Sequence, residues 1–141
     1  SGIDNFHVYL YYTDKKIILS ASELVAMHGP HFMVHGRKGS FIKYGQDVQE
    51  SCLRCGMRPG NSDWGQEEEA SFGTLCTVTD QGFLQEKIPT EQGNYGRYYD
   101  NLYHAIKHGS ELLVRPEETV DVLRIVEAAQ TSSIEKRRIR M

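Results

Sequence analysis

Three times in this sequence a run of β-branched and aromatic residues meets a second such run across four residues, and a chain written that way is driven toward antiparallel pairing. Phe6–Tyr12 leads through Thr13-Asp14-Lys15-Lys16 to Ile17–Ser22. His31–His35 leads through Gly36-Arg37-Lys38-Gly39 to Ser40–Tyr44, and Gly73–Val78 through Thr79-Asp80-Gln81-Gly82 to Phe83–Ile88. Connections this short cannot carry a chain back for a parallel crossover. The glycines around Arg37-Lys38 have some look of a phosphate loop. A strand follows them, not a helix whose N–H groups could hold an anion, so a hairpin is expected.

Helical periodicity is confined to the segments between and after these pairs. In Gly93–Gly109, Asn94 is the expected N-cap and Gly109 the left-handed stop, with Lys107 and His108 favouring the last turn. Tyr95, Tyr98, Tyr99, Leu102, Ala105 and Ile106 form its apolar face. Such tyrosines suit either a helix covering a sheet or the wall of a polar-ligand pocket. Asp47-Val48-Gln49-Glu50 has the form of an acidic capping box and should open a short helix that runs through Cys55 and stops at Gly56. After a short extended piece at Glu111–Val114, Arg115-Pro116-Glu117-Glu118 should open a long last helix. Its stripe runs over Val120, Leu123, Val126 (or Glu127 beside it) and Ala129 to Gln130, and fraying is expected at Ser132-Ser133. The basic Lys136-Arg137-Arg138-Ile139-Arg140 reads as a solvated tail, with an edge strand over Arg138–Met141 the alternative.

The loop Pro59–Gly65 contains the only tryptophan, Trp64. A loop tryptophan either plugs the core or stacks on a ligand. Glu67-Glu68-Glu69 reads as an exposed acidic run. In the first hairpin Phe6, Val8, Leu10 and Tyr12 share one face, and His7, Tyr9 and Tyr11 share the other. The second face is too apolar for solvent and calls for a partner. The order of elements, ββ-ββ-α-ββ-αα, specifies an α+β fold: a mostly antiparallel open sheet with helices packed on one face.

A length of 141 residues suits one domain, expected over residues 6–141, with 1–5 disordered or cloning-derived and Ser1-Gly2 resembling a tag-cleavage scar. A net charge of −3 and pI ≈ 6.1 give no electrostatic basis for binding nucleic acid or an anionic membrane surface. No apolar run approaches the roughly 18 residues a bilayer span needs, and no signal peptide is evident. Three cysteines, an odd number, point to free thiols in a reducing, cytoplasmic compartment. Cys52-Leu53-Arg54-Cys55 has redox and zinc spacing, but the thioredoxin-like strand context is missing. A zinc module would have to recruit Cys76 or scattered histidines.

Chemistry-bearing motifs are otherwise absent from the sequence. No Gly-x-Gly-x-x-Gly follows a strand, so no cofactor-binding residue is assigned, and there is no Gly-x-Ser-x-Gly elbow. His104 and His108 have metal spacing, but with no third ligand they read as surface histidines. No catalytic residue and no metal ligand is therefore assigned.

An ordered set of segments nevertheless carries a resemblance. The set is Phe32-Met33-Val34-His35-Gly36-Arg37-Lys38-Gly39-Ser40-Phe41-Ile42-Lys43-Tyr44-Gly45, Asp47-x-Gln49-Glu50, Trp64-Gly65, and Gly93-Asn94-Tyr95-Gly96-Arg97-Tyr98-Tyr99 followed by Ala105-Ile106. It resembles the C-terminal domain of the glucose–fructose oxidoreductase/inositol dehydrogenase/MocA (Gfo/Idh/MocA) family from Phe6 onward. The resemblance implies a dihydrodipicolinate-reductase-like α+β domain. The parent enzyme would bind NAD or NADP on its own N-terminal Rossmann domain and act on a sugar or polyol-like substrate. It also implies a homo-oligomer through the open sheet face. The family's Glu-Lys-Pro motif and its Asp-x-x-x-His pair at a helix start do not occur here: Glu135-Lys136 is followed by Arg137, and Asp100 to His104 lies mid-helix. The expectation is thus a C-terminal fragment that starts after the catalytic helix. It would hold no cofactor itself and would contribute substrate-site walls and subunit contacts. Tyr95, Tyr98 and Trp64 are the candidate substrate-binding residues, each also compatible with core packing. The alternatives are a non-enzymatic sheet domain acting by self-association through His7, Tyr9 and Tyr11, and a small zinc module on Cys52, Cys55 and Cys76.

Overall fold

The computed structural model describes residues 4–60 and 62–141; the expected cleavage scar at Ser1-Gly2 lies outside them. The chain divides into two compact units, one made of the segment up to Met27 with Leu112–Met141, the other of His28–Glu111.

In the first unit, β1 (Asn5–Tyr11) pairs antiparallel with β2 (Lys16–Ser22) in the register Val8 opposite Leu19 and Tyr9 opposite Ile18. The turn closes with the Tyr12 N–H donating to the Lys15 carbonyl at 2.9 Å. Of the face shared by Phe6, Val8, Leu10 and Tyr12, only Val8 and Leu10 are half-buried, while Phe6 and Tyr12 are exposed, as are His7, Tyr9 and Tyr11 on the other face. His7 Nδ1 and Ser20 Oγ, directly opposite, are hydrogen-bonded at 2.8 Å. The long helix of this unit, third in chain order, is α3 (Pro116–Glu135). Pro116 occupies the first turn, and the Arg115 N–H donates to the Glu118 carboxylate at 3.0 Å. The helix does not fray at Ser132-Ser133. It runs on to Glu135 and stops at Lys136 in the left-handed region (φ 52°). Arg138–Met141 form no strand; the Arg138 guanidinium instead lies 4.9 Å from the Tyr11 ring centroid.

The second unit is a four-stranded antiparallel sheet in the order β3 (Phe32–His35), β4 (Gly39–Lys43), β5 (Gly73–Thr79), β6 (Gly82–Ile88). The Gly36–Gly39 segment is a hairpin turn, closed by the Gly36 N–H on the Gly39 carbonyl at 2.9 Å. Between β4 and β5 lie α1 (Val48–Arg54) and a single 3-10 turn (Glu69–Ser71). After β6 comes α2 (Gly96–His108). Asn94 caps α2 as expected, its Oδ1 accepting the Gly96 N–H at 2.9 Å. Gly109 ends α2 with φ 68°, its N–H reaching the Ala105 carbonyl at 3.1 Å. Antiparallel sheets with three helices make this an α+β structure.

Candidate functional site

The polar centre of the second unit grows from the start of α1. Asp47 caps the helix by accepting the Gln49 N–H at 2.9 Å, which turns Gln49 inward, where it is fully buried. A buried carboxamide must have all its polar atoms paired. Gln49 Nε2 donates to Asp47 Oδ1 and Oδ2 at 3.2 and 3.1 Å. Its Oε1 accepts the indole N–H of Trp64 at 2.8 Å and the backbone N–H of Tyr95 at 2.9 Å. One side chain therefore joins α1, the Trp64 loop and the entry to α2.

Backbone is squeezed against this carboxamide. The Gly93 N–H donates to the Gly65 carbonyl at 3.1 Å. A Cβ on Gly93 would lie 2.5 Å from Gln49 Nε2, and one on Gly65 (φ +76°) would lie 2.1 Å from the Gly93 carbonyl oxygen. Only glycine fits either place. Gln92 completes the arrangement, its Nε2 donating to the Ser62 and Trp64 carbonyls at 2.6 and 2.8 Å.

Trp64 is only 8% exposed, the one buried hydrophobic side chain among the described residues. It also borders an open cleft of about 380 Å³ with Pro59, Ser62, Gln92, Asn94 and Arg97. Of the three sequence candidates, the structure links Trp64 and Tyr95 through Gln49. Tyr98 stands apart, stacked edge-on against Tyr99 at 5.4 Å. Neither tyrosine is among the residues lining the cleft. Desolvation raises the Tyr95 phenol above its ordinary value, and the Asp47 and Glu50 carboxylates add to the shift.

A second cavity, of about 310 Å³, lies between β3, β4 and the loop segments around Asp47, Gly65 and Thr90. In its wall Lys43 Nζ donates to Glu67 Oε2 at 2.6 Å and to the Ser71 carbonyl at 2.9 Å. The Thr90 hydroxyl donates to the same Glu67 oxygen at 2.7 Å. Only 14% of the Lys43 side chain and 5% of that of Glu67 is exposed. Glu67 is therefore not part of an exposed acidic run. Glu68 and Glu69 are exposed, but Glu67 turns in because Lys43 and Thr90 meet it there.

Sequence reasoning missed Gln49, Lys43 and Glu67 as site residues. Lys43 and Gln49 stood in the matched segments, but nothing in spacing marks a glutamine as a hub. Among the described residues no three His, Cys, Asp or Glu side chains converge on a metal position. Cys52, Cys55 and Cys76 are free thiols on α1, its C-cap and β5. Each helix start carries a polar or acidic side chain. Asp47 puts a carboxylate at the α1 cap, Asn94 occupies the first-turn N–H of α2, and Glu118 lies in the first turn of α3. No helix among the described residues is long and apolar enough to cross a membrane.

Comparison with known proteins gives a consistent result. The family described as "Oxidoreductase family, C-terminal alpha/beta domain" (GFO_IDH_MocA_C) matches residues 1–141. The chain is 40% identical over 137 residues to scyllo-inositol 2-dehydrogenase (NADP(+)) IolW of Bacillus subtilis, covering 97% of the chain and 38% of that protein. It is 42% identical over 125 residues to the uncharacterized oxidoreductase YhhX of Escherichia coli, covering 88% and 36%. The solved structure of the oxidoreductase-family protein yvaA from Bacillus subtilis superposes with a TM-score of 0.94 at 39% identity, covering 100% of this chain and 42% of that one. The chain thus spans about two fifths of the length of the relatives it matches. With an antiparallel α+β fold and a family match along its whole length, the chain belongs to the Gfo/Idh/MocA oxidoreductase family, as its C-terminal domain.

Proposed function

We propose that this chain is the substrate-side part of an NAD(P)-dependent oxidoreductase acting on a sugar or polyol-like substrate. The supporting observation is the 40% identity, along nearly the whole chain, to a relative whose name specifies an inositol and NADP(+). In the parent, hydride passes between a substrate carbon and the nicotinamide held by a Rossmann domain, and lysine and histidine acid–base chemistry belongs to segments outside this chain. Trp64 contributes a wall of the substrate region; Tyr95 and Tyr98, which do not line the cleft, stand at the start of the helix that supplies Arg97 to it. The cleft beside Trp64 suits a hydroxyl-rich ligand, because it combines an indole edge with the polar side chains of Gln92, Asn94 and Arg97. A cytoplasmic location accompanies this reading, in keeping with the three free thiols.

The test is the product of the whole reading frame, assayed for reduction of NAD+ or NADP+ against a panel of inositols and sugars. Turnover of at least one polyol is expected, and Trp64→Ala should raise its KM about tenfold, roughly the loss of one good contact, with the dinucleotide KM unchanged. A reading frame without a glycine-rich strand–turn–helix and a Glu-Lys-Pro upstream would sink the proposal. NADH should not bind this chain alone in calorimetry.

The exposed face of His7, Tyr9 and Tyr11, with Tyr9 52% and Ile18 49% exposed, supports a subunit interface for the parent. It also supports the alternative, a non-enzymatic sheet domain acting by self-association.

A further inference from the structure

We infer that the cavity walled by Lys43 and Glu67 is a binding subsite for a neutral, polyhydroxylated ligand, gripping a pair of adjacent hydroxyls. It is distinct from the Trp64 cleft. Taking the polyol reading above as its basis, it names the residues and the chemistry of a second contact with such a ligand.

The first observation is the ion pair itself. Two charges removed this far from water seldom repay their desolvation, and well-packed apolar replacements are often as stable or more so. A buried Lys–Glu pair is thus a poor stabilising device, but it is well suited to a cavity wall that must both donate and accept. Glu67 Oε2 is saturated by Lys43 and Thr90. Its other oxygen, Oε1, has no hydrogen-bond partner among the described residues. Yet no buried side-chain oxygen there is left unpaired, so Oε1 is reached by solvent even though 95% of the side chain is covered (5% exposed). Lys43 has used two of its three N–H donors. A free acceptor and a free donor therefore stand on the two members of one 2.6 Å pair, close enough together for adjacent hydroxyls.

The second observation is the rest of the lining. Phe32, 54% exposed, borders the cavity and gives an apolar ring surface, held edge-on by His31 at 4.4 Å. An aromatic surface beside paired donors and acceptors is the usual requirement for a ring with polar edges and an apolar face. The lining also excludes other ligand classes. Asp47, Glu67 and Glu91 all border the cavity, so an anion would meet three carboxylates. A divalent cation lacks a convergent set of ligands and would face the Lys43 ammonium.

The experiment titrates myo-inositol into the ¹⁵N-labelled chain, with cyclohexanol and inorganic phosphate as comparison probes. Saturable shifts are expected for the amides of Lys43, Glu67 and Thr90 with inositol, at least tenfold weaker with cyclohexanol, and none with phosphate. The variant Lys43→Met with Glu67→Gln is neutral and close to isosteric; it should keep the dispersed spectrum and lose at least tenfold in affinity. Phe32→Ala, at an exposed position, should weaken binding severalfold and serves if the double variant does not fold. Absence of saturable shifts, equal response to cyclohexanol, binding of phosphate, or undiminished affinity in a folded variant would overturn the subsite. Failure here is separable from failure of the enzymatic reading. A whole enzyme that oxidises polyols while this cavity stays silent removes only the subsite; inositol binding without turnover removes only the oxidoreductase.

Discussion

The indole N–H of Trp64 donates to Oε1 of Gln49 at 2.8 Å, and that oxygen also accepts the Tyr95 N–H at 2.9 Å. Removing the carboxamide strands two buried or half-buried donors. Gln49→Met should therefore lower unfolding free energy by about 2–4 kcal/mol in denaturant titration. Trp64→Phe, which leaves Oε1 bonded to Tyr95, should cost about 1–3 kcal/mol. Because Trp64 is the only tryptophan, its fluorescence reports the same event: emission should move to longer wavelength in Gln49→Met. Unchanged stability and emission would show that the bond carries no weight.

Close approach of backbone predicts a graded series of alanine substitutions. Gly65→Ala combines φ +76° with a 2.1 Å clash on the Gly93 carbonyl, and should cost more than about 3 kcal/mol or prevent folding. Gly109→Ala shares the positive φ but meets nothing within 4 Å, so only the left-handed penalty of about 1–2 kcal/mol applies. Equal losses at the two positions would argue against the clash.

The raised Tyr95 phenol sets a direction for alkaline behaviour. Below the ordinary value of 10.0 the phenol is protonated in both folded and unfolded states and contributes no difference. Above it the unfolded chain releases this proton while the folded chain retains it, so stability falls as pH rises. Tyr95→Phe should flatten that decline in unfolding curves taken above about pH 10. Difference spectra of phenolate between wild type and variant should place the Tyr95 ionisation above the ordinary phenol value. A Tyr95 that ionises at or below that value would contradict this.

The proposed subunit interface can be tested at the exposed pair Tyr9 and Ile18, directly opposite across β1 and β2. Tyr9→Glu places a charge in its middle and should shift sedimentation toward a smaller species at equal concentration. The same mass for both proteins would rule out the proposal that the hairpin face joins subunits.

Much of the scaffold was legible because its determinants are local. Asn94, Gly109, Asp47 and Pro116 act within one turn of where they stand, and each does in the structure what its residue type implies. The hairpins were legible because the turns between their strands are so short. The site was much less so. Glu67 lies within an acidic triplet that looks solvated, and its burial depends on Lys43 and Thr90, 24 and 23 residues away. Of the two readings of the C-terminal tail, edge strand or solvated segment, the second holds: all but Ile139 of residues 136–141 are exposed, and Arg138 meets the ring of Tyr11 rather than a strand partner.

The shared oxygen of Gln49 also bears on the order in which this unit gains structure. It bonds partners 15 and 46 residues distant, so closing the second contact orders a long stretch of chain at once and carries a loop-closure entropy that local turns do not. The Tyr95 amide should therefore exchange with solvent deuterium only when that whole stretch opens, and at the same free energy as the indole proton of Trp64. Two protons separated by 31 positions in sequence (95 − 64) would then behave as reporters of a single opening event.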